Sequence, residues 1–179
     1  NEVAMSNATV VFYADGKREV GRIGDFNRVQ VALNEIPLNL QHAVLAAEDK
    51  DFYNHGGFSF TGIARALWNN VVDGSSQGGS TITQQVAKNF LVGNERSYDR
   101  KIREALISLR IEGAYTKEHI LELYLNEIYL GLGNYGVAAA ALNYFNKSVN
   151  ELTLAEAAYL AALPKGPNNY HPFQQRDRA

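Results

Sequence analysis

The apolar positions of this chain change period once. Between residues 9 and 33, "TVVFYADGKREVGRI" alternates β-branched and aromatic residues with polar ones around Asp15-Gly16, which predicts a small β element built on a hairpin. From residue 37 the spacing turns helical. "PLNLQHAVLAAEDKDF" opens on Pro37 and carries Leu40, Val44 and Ala47 along one face, and "SFTGIARALWNNVV" predicts a second helix before a turn at Asp73-Gly74. "GGSTITQQVAKNFL" offers Ser80, Thr81 and Thr83 as N-caps of a third. In "NERSYDRKIREALISLRIEGAYTK", Ser97 is the expected N-cap and Ile102, Leu106 and Leu109 form the stripe expected to be buried. "TKEHILELYLNEIYLGLGNYG" predicts a further helix with Ile120, Tyr124 and Leu125 inward and Glu122, Asn126 and Tyr129 on another face. Two alanine-rich helices close the pattern, the second opened by a Thr153/Glu156 capping box, and Pro164, Gly166 and Pro167 end it. The chain therefore reads as mainly α, with an N-terminal extension over 1–33 carrying the β-hairpin and a helical domain over 34–179.

Composition narrows what such a domain can do. With 179 residues, 46% hydrophobic and 20% charged, it has enough apolar material for one full core. A formal net charge of −2 argues against nucleic acid as a partner, because phosphate-backbone binding needs a clear excess of Lys and Arg. The absence of cysteine removes disulfides, thiol nucleophiles and Cys-based zinc sites. His42, His55, His119 and His171 are too scattered for a histidine metal site. No run reaches the roughly 18 to 20 apolar residues of a spanning helix.

Ionisable groups gather at two places. "EDKDFYNHGG" at 48–57 follows the apolar run "HAVLAA" and puts Glu48, Asp49 and Asp51 at the end of a greasy helix. The plain reading is a helix terminus stopping at glycine; the sharper one is a catalytic carboxylate on a partly apolar wall. Around 100–104, Arg100, Lys101 and Arg103 surround Glu104. As a surface ion pair at i, i+4, Arg100 and Glu104 would contribute only about 0.3–0.5 kcal/mol. Facing a cleft, the same cations would hold Glu104 ionised and present positive charge to an anion. Between these clusters, Gln84, Gln85, Lys88 and Asn89 make a polar stripe behind glycines, either an ordinary solvated face or a surface suited to phosphate or sugar. Gly131, Gly133 and Gly136 spell G-x-G-x-x-G, but they end a helix instead of joining a strand to one, which rejects a dinucleotide site. Walker, H-E-x-x-H and S-x-x-K patterns are missing.

These motifs resemble those of one family in its own order. "EDKDFYNHGG" resembles the E-D-x-x-F-x-x-H-x-G motif of the peptidoglycan glycosyltransferases, glycosyltransferase family 51, found in class A penicillin-binding proteins and monofunctional transglycosylases. "GGSTITQQ", "RKIRE" and "KEHILELYLNEIYLG" resemble the second, third and fourth motifs, and the likeness covers residues 37–173. It implies a lysozyme-like helical domain with a smaller membrane-contacting subdomain. The implied reaction is inverting polymerisation of lipid II into β-1,4-linked glycan with release of undecaprenyl pyrophosphate. Glu48 would be the base and Glu104 would assist the leaving group. Lys88, Arg96 and Lys101 match the family's pyrophosphate-binding cations, and Arg100 adds charge beside them. Asp49, Phe52 and His55 are further implied substrate-site positions, Asp49 as a structural partner of the site, Phe52 fixing the helix in the core and His55 as a structural hydrogen bonder. Ser80, Thr81, Gln84, Gln85, Asn126 and Tyr129 would line the cleft.

The resemblance implies no obligatory cofactor. The assistance it allows is a divalent cation, Mg or Mn, with Glu104 as a ligand. Implied partners are lipid II, the nascent glycan strand, the membrane surface and a transpeptidase domain in a longer chain. The implied location is the extracytoplasmic face of the bacterial inner membrane, reached through an N-terminal helix that has no counterpart in residues 1–179. "FSFTGIARALWNNVV" is the expected membrane-contacting segment. The loop "VVDGSSQGG" is short for the family. A lysozyme-like muramidase or lytic transglycosylase, which cleaves glycan, is the competing expectation; it would have less use for cations beside a second carboxylate.

Overall fold

The computed structural model describes residues 9–12, 19–23, 27–56, 80–89 and 98–167. The expected helix over 59–72, the loop before Gly78, the Ser97 cap and Arg96 lie outside the described residues. The described part is mainly α. Strands β1 (Thr9–Phe12) and β2 (Glu19–Ile23) pair antiparallel, from Thr9 opposite Ile23 to Phe12 opposite Glu19, as the alternating pattern around Asp15-Gly16 predicts. Among the described residues six helices follow: α1 (Leu38–Glu48), α2 (Ile82–Asn89), α3 (Tyr98–Ala114), α4 (Lys117–Glu127), α5 (Val137–Phe145) and α6 (Leu154–Ala162). Two-residue strands β3 (Asn27–Arg28) and β4 (Asn134–Tyr135) pair in parallel. Among the described residues no helix is long and apolar enough to cross a membrane.

The chain divides into two compact units, one made of 1–44 with 125–179 and the other of 45–124. In the first, α5 buries Val137 through Ala141 without a break, and it contacts α6, whose Ala157, Leu160 and Ala161 are also buried. Small side chains let these two backbones approach closely. Between α4 and α5 the chain reverses through Gly131, Leu132, Gly133 and Gly136, all with positive φ. A Cβ on Gly136 would lie 2.5 Å from the Asn126 carbonyl oxygen, so only glycine fits there. The G-x-G-x-x-G string thus shapes a turn. The α6 start is the predicted capping box: Thr153 Oγ1 accepts the Glu156 N–H, and Glu156 Oε2 accepts the Thr153 N–H at 2.7 Å.

The second unit overturns one expectation. Ile102, Leu106 and Leu109 of α3 are exposed, at 60, 55 and 52%. The face that α3 buries carries Glu104, Ser108 and Ile111, and α3 runs against α2. A helical period reveals that a stripe exists, but packing decides which stripe faces inward. Here the inward choice includes a carboxylate, which burial penalises unless it is paired. On α4 the expected inward residues Ile120, Tyr124 and Leu125 are buried, but Asn126, expected on another face, is buried with them at 8% exposure.

Candidate active site

Helix α1 ends where its apolar face gives way to Glu48 and Asp49. Each carboxylate then meets a different set of donors. Asp49 is buried and accepts three hydrogen bonds: His55 Nε2 reaches its two oxygens at 2.8 and 2.9 Å, and the backbone N–H of Ile82, first residue of α2, reaches Oδ2 at 3.0 Å. An anionic acceptor on the first N–H of a helix satisfies an orphan donor and opposes the positive end of the helix dipole. Asp49 therefore ties the end of α1 to the start of α2, with His55 as its hydrogen-bonding partner. Phe52, 1% exposed, seats the 3-10 turn Phe52–Asn54 in the core, and Lys117 Nζ lies 4.4 Å above its ring.

Glu48 is treated differently. Its Oε2 accepts from Gln85 Nε2 at 2.9 Å. Its Oε1 is buried and has no hydrogen-bond partner among the described residues. An ionised carboxylate has about four acceptor sites. Leaving a whole oxygen buried and unmatched costs on the order of 1–3 kcal/mol, so it marks a group kept for something other than folding.

Helix α2 links this carboxylate to the second one. It begins with a capping box that sequence reading did not specify: Thr81 Oγ1 accepts the Gln84 N–H at 3.1 Å, and Gln84 Oε1 accepts the Thr81 N–H at 2.9 Å. Thr81 and Gln84 are both buried and serve the helix start, while Gln85 one residue on serves Glu48. Just before α2, Ser80 Oγ accepts from Lys101 Nζ at 3.0 Å, and the same ammonium donates to Glu104 Oε1 at 2.5 Å. The Glu104 side chain is 6% exposed and that of Lys101 59%, so the pair runs from the interior to solvent with its cation outward. The ion partner given to Glu104 is thus Lys101 at i, i+3, where sequence spacing suggested Arg100 at i, i+4; Arg100 sits one residue away on α3. Lys88 is exposed in the last turn of α2.

The nearest charged partner of Glu104 is the Lys101 ammonium, and the described residues contain no group of three His, Asp or Glu around it. A Mg or Mn ion held here would take Glu104 as its carboxylate ligand and complete its shell with phosphate oxygens and water.

Asn126 and Tyr129 belong to the other unit. Both ends of the Asn126 amide engage the backbone of Val31, Oδ1 accepting its N–H and Nδ2 donating to its carbonyl, each at 2.9 Å. The Asn126 side chain thus holds an incoming segment. Next to it, Glu127 pairs with Arg28 at 3.1 Å; burial pushes the Glu127 carboxyl up, and Arg28 pulls it partly back. The Tyr129 ring lies 5.1 Å from that of Tyr135, over which Arg28 sits at 4.9 Å.

The residue that sequence reading missed is Tyr124. Its spacing predicts a core position, and its ring is core at 2% exposure, but its hydroxyl reaches Gln85 Oε1 at 3.5 Å. Its place four residues after Ile120 on the inward face concealed a polar tip that only the packed structure aims.

A mainly α domain that holds a carboxylate with a spare oxygen, and also a lysine paired to a second buried carboxylate, has a proton acceptor and a cation, the parts that group transfer from an anionic leaving group to a hydroxyl needs. A family model described as transglycosylase matches residues 16–179, and the chain belongs to this family as a peptidoglycan glycosyltransferase domain. Penicillin-binding protein 1A of Neisseria flavescens is 50% identical over 171 residues, covering 95% of this chain and 21% of that protein. Penicillin-binding protein 1A of Rickettsia felis is 56% identical over 149 residues, covering 81% of this chain and 19% of that protein. The crystal structure of penicillin-binding protein 1A from Haemophilus influenzae is similar at 30% identity and a TM-score of 0.49, over 98% of this chain and 17% of that one. The chain thus spans about a fifth of the length of the curated relatives it matches.

Proposed function

We propose that this domain polymerises lipid II into β-1,4-linked glycan strands, and the observation that carries the reading is the buried Oε1 of Glu48, which has no partner among the described residues. In this reaction Glu48 takes the proton from the 4-hydroxyl of the acceptor sugar. The freed oxygen attacks the anomeric carbon of the growing chain. The bond from that carbon to the pyrophosphate breaks on the opposite side, the electron pair leaves with the phosphate oxygen, and the configuration inverts. Gln85, by occupying Oε2, leaves Oε1 as the acceptor.

Lys101 supplies positive charge for the departing pyrophosphate, with Lys88 and Arg96 as further cations of the same kind. Glu104 holds Lys101 from inside. A covalent glycosyl–enzyme intermediate is not part of this scheme, since double displacement would retain configuration. The whole protein works at the extracytoplasmic face of the inner membrane, tethered by a preceding helix, with a transpeptidase domain following; the fraction of its relatives that the chain spans leaves room for both. The test is incubation with lipid II in detergent: chain growth supports the reading, and cleavage of preformed glycan without chain growth sinks it in favour of a muramidase.

A further inference from the structure

Gln85 is the middle of a longer hydrogen-bond chain. Tyr124 on α4 donates to Gln85 Oε1 at 3.5 Å, and Gln85 Nε2 on α2 donates to Glu48 Oε2 at 2.9 Å. The direction of this chain is set by its far end. A carboxylate ready to act as a base only accepts, so the amide must turn its NH2 to Glu48 and its carbonyl to Tyr124, and the phenol must donate. Burial first, and then the charges of Glu48 and Asp49, push the Tyr124 hydroxyl well above its ordinary value of 10.0. Both effects favour the protonated phenol, the form that donates.

We infer that Tyr124 is a positioning residue for Glu48, acting through Gln85 to hold one carboxylate oxygen occupied and leave the other as the proton acceptor. The inference rests on the proposed role of Glu48 as base. A glutamine side chain has three rotatable bonds, and anchoring both ends of its amide removes that freedom. Without the phenol, the Gln85 carbonyl loses its donor, the amide swings, and Glu48 spends less time in the productive geometry, a loss that enters the rate and not the binding. A tyrosine that only filled the core would be replaced by phenylalanine with no such signature.

The test is a double-mutant cycle on the purified chain with lipid II as substrate. Tyr124→Phe keeps the ring and removes only the hydroxyl; kcat is expected to fall about tenfold with KM within about twofold. In a Gln85→Leu background the same substitution is expected to change kcat by less than about twofold, because the link is already cut. An equal loss in both backgrounds, a change confined to KM, or no change in either background overturns the inference, and so does wild-type kcat in Gln85→Leu alone. Glu48→Gln separates the two claims: if it still polymerises, the base assignment has failed, whereas a dead Glu48→Gln beside a wild-type Tyr124→Phe removes only the role of Tyr124.

Discussion

Glu48 and Glu156 are the same side chain used in opposite ways. Glu156, at the start of α6, has its acceptor sites filled: Lys147 Nζ at 2.8 and 3.0 Å, the Thr153 N–H at 2.7 Å and the Thr153 hydroxyl at 2.9 Å. Glu48, at the end of α1, has one donor and a buried oxygen with none among the described residues. Filling a carboxylate with donors stabilises its ionised form and the fold around it. It also leaves no lone pair for a substrate proton. A carboxylate kept partly empty gives up that stability, which is reasonable only where chemistry needs the acceptor. Saturation therefore separates a structural acid from a catalytic candidate better than burial does, since Asp49 is buried and still receives three hydrogen bonds.

Glu48→Gln strikes the contrast hardest. Polymerisation is expected to fall by at least about a hundredfold, the scale of a lost general base, while circular dichroism and binding of moenomycin are retained. Near wild-type turnover would mean the empty oxygen has no role. Glu104→Gln comes next. It keeps a partner for Lys101 but weakens the pair, so a drop in kcat smaller than that of Glu48→Gln is expected in the same assay. If Glu104→Gln is dead and Glu48→Gln active, the two roles are reversed.

Lys101→Ala reads out in affinity. Losing one charge-assisted contact to a pyrophosphate is expected to weaken binding by about 1.5 kcal/mol, roughly tenfold, measured by displacement of a labelled pyrophosphate-bearing inhibitor. Unchanged affinity would remove Lys101 from the site.

Glu156→Gln is the smallest perturbation and is expected to leave turnover unchanged while lowering the melting temperature near neutral pH. The Lys147 ammonium first, then the Thr153 N–H, holds the Glu156 carboxyl below its ordinary value of 4.5. A depressed folded pKa means the contribution is present above 4.5 and lost as pH falls through the lowered value. The wild type and Glu156→Gln should therefore converge in stability on acidification below 4.5. A gap that persists or widens there would show that something other than this ionisation holds α6.

Several signals that act over a few residues were legible, though the Thr81/Gln84 box was not. The hairpin, the start of α1, the Thr153/Glu156 box and the inward Ile120, Tyr124 and Leu125 all follow from period and capping chemistry. Glu48, Asp49, Lys101 and Glu104 stood out because ionisable groups beside apolar helices are uncommon. The donors those groups receive were not legible. Asp49 meets Ile82 across 33 positions, Gln85 meets Glu48 across 37, and Asn126 meets Val31 across 95.

By itself the sequence determined the described helices, the Thr153/Glu156 cap, the family and the identity of both candidate carboxylates, because these are written in residues close together along the chain. Only the tertiary structure decided that α3 turns its leucines outward and Glu104 inward, that Asn126 clamps Val31, and that Tyr124 reaches Glu48 through Gln85. The physical reason is that a helix offers several faces at similar local free energy, and the one buried is chosen by the partners that other helices bring to it.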